Sequence, residues 1–302
     1  MAHMNHLSRR GKFLLLSTIP LYFMVCGFLL QPVNEIWPGI VTLIREPDFL
    51  ITDYFVVGGV GAAFLNAGML TLLSIALIYF LGMEMDGHTI TSACLMFGFS
   101  LFGKNLLNIW AVMVGIWLYA KYHKMPVSKY IYIGLYGTSL SPIITQIMQI
   151  GQMPLIFRVF LALGAGMVIG FVLPPLATHV HFSHKGYSLY NVGFAAGIIA
   201  TVIVSLLKSF GITVESRLIW YTGNTMTFFA ILCILFAGMA VGAFYVGGRQ
   251  AVEEYRAILK CSGIGGTDYL RDNGGPATVL NMAVNGFLST LMVVIAGGDL
   301  NG

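Results

Sequence analysis

Charged residues are scarce in this sequence. Asp, Glu, Lys and Arg make up 9% of the 302 residues, whereas 57% are hydrophobic, and the mean hydropathy is +0.83. An ordinary soluble domain carries about 25% charged residues, so this chain could not cover a water-facing surface with polar groups. Several apolar runs also reach the roughly 20 residues that a helix needs to cross a bilayer. The sequence therefore predicts an all-α integral membrane protein in contact with the lipid bilayer.

The sequence also lacks the motifs of the common enzyme classes. Its four cysteines are far apart and form no CxxC pair, which is typical of small apolar core residues. No HExxH, GxSxG or P-loop pattern occurs. Lys and Arg are dispersed between the apolar runs rather than clustered on one face, as nucleic-acid binding would require. We therefore expect no enzymatic activity, no cofactor, no metal site and no nucleic-acid partner.

Eight apolar runs divide the chain. The run at 88–120 is interrupted around Lys104, and each half is too short for a full crossing, so it predicts a helical hairpin with re-entrant or broken helices. Pro142 predicts a kink or an unwound stretch in a later run. Arg9 and Arg10 precede the first run and predict a cytoplasmic N-terminus in the cell inner (plasma) membrane. The runs are 13–30, 55–82, 88–120, 129–150, 155–177, 189–209, 225–247 and 277–297.

A segment of the N-terminal part recurs 215 residues later. The tripeptide TDY at 52–54 reappears at 267–269, and Asn66 reappears as Asn281. The segment 31–53 is acidic and predicted to be external, whereas its counterpart, 249–271, is basic and predicted to be internal. This charge reversal favours an inverted repeat, an arrangement that many transporters use to build a substrate site at the repeat interface.

The two copies differ in length. The predicted first repeat, 1–215, contains about five spans plus the hairpin at 88–120, whereas the second, 216–302, is only a beginning. It stops at Gly302, the counterpart of Gly87. The sequence therefore predicts an inverted-repeat helical bundle whose second repeat is incomplete, and we expect the chain to be a fragment of a longer protein.

Polar residues within or between the apolar runs are the candidates for binding. The segment 82–89 places Glu84, Asp86 and His88 between two apolar segments. Ionisable residues at membrane depth are usually functional, and Asp86 can cap the following helix. The alternative is a cytoplasmic turn whose acids are solvated. The segment 297–302 repeats the pattern with Asp299 and Asn301.

Asparagine and lysine supply the other candidates. Asn66 and Asn281 suit a neutral polar solute, but also hydrogen bonds between helices. Lys104 could neutralise a buried acid, attract an anion, or reach water from the tip of the hairpin. The predicted substrate- or ion-binding residues are Asn66, Glu84, Asp86, His88, Lys104, Asn281, Asp299 and Asn301.

The segment 66–105 (NAGMLTLLSIALIYFLGMEMDGHTITSACLMFGFSLFGKN), with LN and GGDLNG in the second copy, carries a family resemblance. It resembles an uncharacterised family of bacterial multi-pass proteins, domain of unknown function 1576, which is duplicated. A weaker similarity is to urea-channel-type proteins, which are inverted repeats with short membrane-embedded helices. Neither resemblance implies an established activity or site residue.

Together these features predict a multi-pass transporter or channel for a small solute or ion, with its site at the interface of two inverted repeats. The acids would bind a coupling cation or proton, and the amides and helix N-termini would hold the solute. A structural or accessory membrane subunit is the alternative. An intramembrane enzyme, with the acid–histidine cluster as general acid and base, is less favoured. A homo-oligomer remains open.

Overall fold

The chain folds into helices joined by short connections. The computed structural model describes residues 8–46, 52–151, 153–185, 190–212, 218–263 and 267–302; the predicted repeat boundary at 215 and 216 lies outside them. The described residues form no strand beyond two isolated β-bridges. The helices are α1 (Arg9–Leu30), α2 (Val33–Arg45), α3 (Tyr54–Val57), α4 (Val60–Phe80), α5 (Gly87–Phe99), α6 (Trp110–Tyr122), α7 (Ile131–Gly137), α8 (Ser141–Met148), α9 (Leu155–His184), α10 (Asn191–Ser209), α11 (Thr225–Ile258), α12 (Tyr269–Asp272) and α13 (Gly275–Ile295).

Six of these helices are long and apolar enough to cross a membrane: α1, α4, α9, α10, α11 and α13. Their side chains explain why they suit lipid, since many large apolar residues on them are exposed, among them Phe160 and Tyr245. Exposed apolar side chains at this density need a surrounding apolar phase. The prediction of an all-α membrane protein is therefore confirmed.

The helices belong to two compact units, one of 1–19, 84–90 and 221–301, the other of 20–83, 91–220 and 302. In the first unit α11 and α13 pack together, and Gly286 lies against the ring of Phe236. In the second unit α6, α8, α9 and α10 enclose a core of aliphatic side chains that includes Val112, Ile144 and Leu173. Small residues allow these helices to approach closely, as is usual in membrane bundles.

Two predicted apolar runs are interrupted. The run 88–120 consists of α5 and α6, 13 residues each, with irregular backbone between them. The run 129–150 consists of α7, a 3-10 turn at Thr138–Leu140 and α8. At 1.5 Å per residue a 13-residue helix covers about 20 Å, less than the roughly 30 Å of a hydrocarbon core. The predicted interruption around Lys104 is thus present, and 129–150 also lacks a helix of membrane length.

Two other helices continue past their apolar runs. The apolar run that begins at 155 ends at 177, but α9 continues to His184, whose Nε2 lies 2.8 Å from Asn191 Oδ1. The helix α11 extends to Ile258 across the non-helical residue Gly248, at φ 55° and ψ −140°. Its last part is therefore a short helix in the polar segment that was predicted to be internal.

The local structure around the TDY sequence recurs at the same offset of 215 residues. The helices α3 and α12 have four residues each, and α4 and α13 have 21 each, with bounds that differ by this offset. Gly59 precedes α4 at φ 85° and ψ 160°, and Gly274 precedes α13 at φ 82° and ψ 165°. L side chains rarely adopt such a φ, so glycine is required at both turns. The two copies therefore share backbone conformation as well as sequence; their inverted orientation stays a prediction.

One aspartate in each copy bonds a glycine of the other copy. Asp53 caps α3 through Oδ1, while its Oδ2 accepts the backbone N–H of Gly302 at 3.3 Å. Asp268 caps α12 through Oδ1, while its Oδ2 accepts the backbone N–H of Gly87 at 3.1 Å. Asp53 and Gly87 are the counterparts of Asp268 and Gly302. The two hydrogen bonds therefore join equivalent positions of the two copies, and the inverted repeat stays a prediction.

Replacing either aspartate by alanine should lower the stability of the protein. Each change removes a helix cap, worth about 0.5–2 kcal/mol, and leaves the N–H of a glycine without its acceptor. We expect the larger loss for Asp53→Ala, because Asp53 is 2% exposed whereas Asp268 is half-buried. Thermal unfolding in detergent measures the stability of both variants. Glu253→Ala, on the exposed face of α11, is the control. Equal stability of all three variants would contradict the proposed contact pair.

Candidate functional site

Asn66 of α4 holds the irregular backbone between α5 and α6. Its Nδ2 donates to the carbonyl oxygens of Ser100 and Lys104, each at 2.8 Å. Asn66 is 1% exposed, in a stretch of α4 whose neighbours Ala63 and Ala67 are fully buried. Asn66 thus bonds to backbone carbonyls of the irregular segment rather than to another helix, and its predicted binding role stays a prediction.

The rest of this irregular segment is also supported by hydrogen bonds. The backbone N–H of Tyr54 donates to Leu101 O at 3.0 Å, and Asn108 Nδ2 donates to Gly103 O at 2.9 Å. Asn105 and Asn108 each accept the backbone N–H of the other at 3.0 Å. Non-helical backbone at membrane depth is tolerated only where protein or water satisfies it. Here the protein supplies the partners, so the break between α5 and α6 is a defined structure.

The second interrupted segment meets the first. Gly103 has a φ of +78°, and an added Cβ there would lie 2.8 Å from Pro142 Cγ in α8. Asn108 Nδ2 also donates to Thr145 Oγ1 of α8 at 3.3 Å. We call the polar residues at this meeting point the break cluster. Each is at most 7% exposed, and the members are Asn66, Ser100, Lys104, Asn105, Asn108, Ser141 and Thr145.

Lys104 is the charged member of the break cluster. It is 1% exposed, so it does not reach water from the tip of a hairpin. Its Nζ lies 3.9 Å from Met96 Sδ and 4.9 Å from the centroid of the Phe99 ring. Within the described part of the chain Nζ forms no ion pair with a carboxylate. Among the described residues the ammonium therefore has no full counter-charge.

Two other atoms of the break cluster have unused hydrogen-bonding capacity. Asn66 Oδ1 and Ser141 Oγ are buried and have no hydrogen-bond partner among the described residues. The orientation of the Asn66 amide is determined by its surroundings, because Nδ2 faces two carbonyl oxygens that only a donor can approach. A buried polar atom without a partner is unfavourable by about 1–3 kcal/mol. The break cluster thus offers a cation, an acceptor and a hydroxyl without full protein partners.

The predicted acidic turn around Glu84, Asp86 and His88 belongs to the first compact unit. Glu84 has a 76% exposed side chain, 3.9 Å from Arg9 Nε, as the solvated alternative expects. Asp86 Oδ1 accepts the backbone N–H of Thr89 at 2.8 Å and its hydroxyl at 2.9 Å, which caps α5. His88 is exposed. The predicted capping role of Asp86 is present in the structure, and the predicted binding roles of all three residues stay predictions.

The candidates of the second copy belong to the same unit as this turn. Asn281 is half-buried, and its Oδ1 accepts from Asn285 Nδ2 at 3.0 Å. Asp299 is exposed and accepts from Thr225 Oγ1 at 3.2 Å, and Asn301 is half-buried. Of the eight predicted residues, the structure joins Asn66 and Lys104, in the other unit.

The predicted binding residues include two members of the break cluster, Asn66 and Lys104, and leave out the other five. Asn108 and Thr145 join the two breaks through one hydrogen bond, and Ser100 supplies a carbonyl to Asn66. The one local signal was the pair of asparagines at 105 and 108, a spacing that suits reciprocal side-chain-to-backbone bonds in a turn.

Comparison with known proteins identifies the family. Residues 33–209, which include the whole break cluster, match the family model described as "Protein of unknown function (DUF1576)". No curated protein matches the chain, and no solved structure matches it. Since the matched residues are more than half of the 302, this multi-pass α-helical protein belongs to the DUF1576 family.

Proposed function

We propose that this protein moves a small solute or ion across a membrane and binds it at the break cluster. The proposal includes an inverted orientation of the two copies, a cytoplasmic N-terminus and no catalytic step. Transporters commonly bind their substrates where discontinuous helices meet, because interrupted helices present backbone and side-chain groups that a continuous helix uses internally.

The observation that carries the proposal is the meeting of two interrupted segments around buried polar atoms that lack full partners. One interrupted segment is α5 and α6, and the other is α7 and α8. A purely structural break would satisfy its own polar groups, as the carbonyl groups of Ser100, Leu101, Gly103 and Lys104 are satisfied in the first break. Asn66 Oδ1 and Ser141 Oγ are left over. Polar residues at such depth are disfavoured unless they serve a function.

The test is solute flux into sealed vesicles. The full chain, reconstituted in phosphatidylcholine–phosphatidylglycerol vesicles, is challenged with osmotic gradients of glycerol, urea and the potassium salts of chloride, nitrate and hydrogencarbonate. We expect faster flux of at least one solute than in protein-free vesicles, followed by light scattering. Absence of flux for every solute would overturn the proposal and favour a structural subunit.

Ser141→Ala should weaken this flux, because it removes a hydroxyl that is not occupied by the protein. A several-fold rise in the half-saturating concentration is expected, since one hydrogen bond is worth about 0.5–1.5 kcal/mol. Ser209→Ala is the matched control, because Ser209 is exposed at the end of α10 and its Oγ donates to Leu206 O. Identical flux in both variants would remove Ser141 from the site.

A further inference from the structure

The chemistry of the break cluster restricts the solute further, on the assumption that the proposed function holds. Lys104 Nζ is surrounded by a thioether and an aromatic ring rather than by a carboxylate. An ammonium in such a place repels cations and is stabilised by an anion. A single lysine is matched by a single negative charge, because further charge would be buried without compensation.

The second restriction comes from Asn66 Oδ1, which is an acceptor and needs a donor. The side chain of Asn66 contacts the backbone of Lys104, because the Asn66 amide donates to the carbonyl oxygen of Lys104 itself. The same amide is bonded to Ser100 O, and Ser100 lies one helical turn after Met96, whose Sδ is next to Lys104 Nζ. A small solute that satisfies both groups accepts a hydrogen bond from Lys104 and donates one to Asn66.

We propose that the solute is a small monovalent oxyanion that carries its own hydrogen-bond donor. An oxygen of such an anion accepts from Lys104 Nζ, while its O–H or N–H donates to Asn66 Oδ1. A halide or nitrate has no donor for Asn66, and a neutral amide such as urea has no charge for Lys104. The unpartnered hydroxyl of Ser141 can donate or accept, so it adds no further selection.

Binding to the full chain in detergent tests this with three planar solutes of similar size. Hydrogencarbonate has a charge and a donor, nitrate has the charge alone, and urea has donors alone. Titration calorimetry at constant ionic strength and pH 7 should give saturable binding of hydrogencarbonate. Its affinity should be about tenfold or more higher than that of nitrate, since nitrate leaves Asn66 Oδ1 unsatisfied. Urea should not saturate. Dihydrogenphosphate and perchlorate, at pH 6, repeat the comparison for tetrahedral anions.

The Lys104 variants separate charge from packing. Lys104→Met should lose hydrogencarbonate binding, whereas Lys104→Arg should retain it, because the guanidinium keeps the charge. If Lys104→Met does not fold, the Lys104→Arg variant and the comparison of solutes decide alone. Both variants are first checked for a single species by size-exclusion chromatography.

Each outcome has a separate meaning. Nitrate binding as tightly as hydrogencarbonate, or perchlorate as tightly as dihydrogenphosphate, would overturn the requirement for a donor. Saturable urea binding that persists in the Lys104→Met variant would contradict the proposal that the solute is an anion. If neither donor-bearing anion binds while the vesicles still transport glycerol, urea or potassium, the oxyanion proposal fails and the transport proposal stands. If binding follows the expected order but no vesicle flux occurs, the site is an anion-binding site and transport fails.

Discussion

The Lys104→Met variant should lose oxyanion binding and transport, yet unfold at a higher temperature than the wild-type protein. Methionine has nearly the length and volume of lysine but no charge. It would pack against Met96 and Phe99 as the lysine stem does, with no ammonium to desolvate. Loss of function together with a gain in stability is the expected sign of a residue that is kept for binding rather than for folding.

The free energies involved support a higher unfolding temperature for Lys104→Met. Moving an ion out of water is unfavourable by several kcal/mol even after relaxation. The cation–π interaction with Phe99 offsets about 0.5–2 kcal/mol of this desolvation free energy. Replacing buried ionic groups by apolar residues of similar volume has stabilised proteins by about 1–4 kcal/mol, and each kcal/mol shifts the midpoint by about 2–4 °C in a domain of 150–250 residues. We expect a rise of several degrees in the unfolding temperature in detergent, without added anion.

The matched control is Lys208→Met at the exposed end of α10. A surface substitution of this kind changes stability by less than about 0.5 kcal/mol, so its midpoint should be that of the wild type. Added hydrogencarbonate should stabilise the wild type and Lys208→Met but not Lys104→Met, because a ligand stabilises only the state that binds it. A lower unfolding temperature for Lys104→Met than for the wild type would mean that Lys104 serves the fold, contrary to this argument.

Local sequence signals predicted the positions of the breaks but not their meeting. Gly103 and Lys104 interrupt an apolar run, and Pro142 interrupts another, so each break could be placed by composition alone. Their contact through Asn108 and Thr145 joins residues 37 positions apart. Such a pairing depends on the packing of α6, α8 and α9, which leaves no local pattern in the sequence.

The burial of Lys104 could not be predicted for a related reason. Lysine near a helix end usually extends its stem along apolar surface and leaves its head group in water. Here Asn66 bonds to the carbonyl oxygen of Lys104, and Tyr54 bonds to that of Leu101, three residues before it. The lysine is thus enclosed by contacts that are distant in sequence. In contrast, the paired conformations of Gly59 and Gly274 follow from the repeat itself, because both segments place a glycine at the same distance after TDY.

Gly170→Ala should give the largest loss of stability among the substitutions considered. The helices α6 and α9 cross with their backbones in contact at Gly115 and Gly170. An added Cβ at Gly170 would clash with Val112 O, and one at Gly115 would clash with Met167 O. Both obstacles are backbone oxygens, which cannot turn away as a side chain can. The two helices must therefore separate, and the core around Val112 and Leu173 opens.

Overpacking by one methyl group usually lowers the free energy of unfolding by about 1–3 kcal/mol. We expect the loss for Gly170→Ala to reach or exceed the upper end of this range, because backbone atoms must move. Gly164→Ala in the same helix is the matched control, since an added Cβ there has no neighbour within 4 Å. Alanine is favoured over glycine in a helix by about 1 kcal/mol, so this variant should be slightly stabilised. Opposite shifts of the two unfolding temperatures would establish the close crossing, whereas a Gly170→Ala variant as stable as Gly164→Ala would refute it. Because α9 also packs against α8, separation at Gly170 should weaken anion binding at Lys104 as well, which Gly164→Ala should leave unchanged.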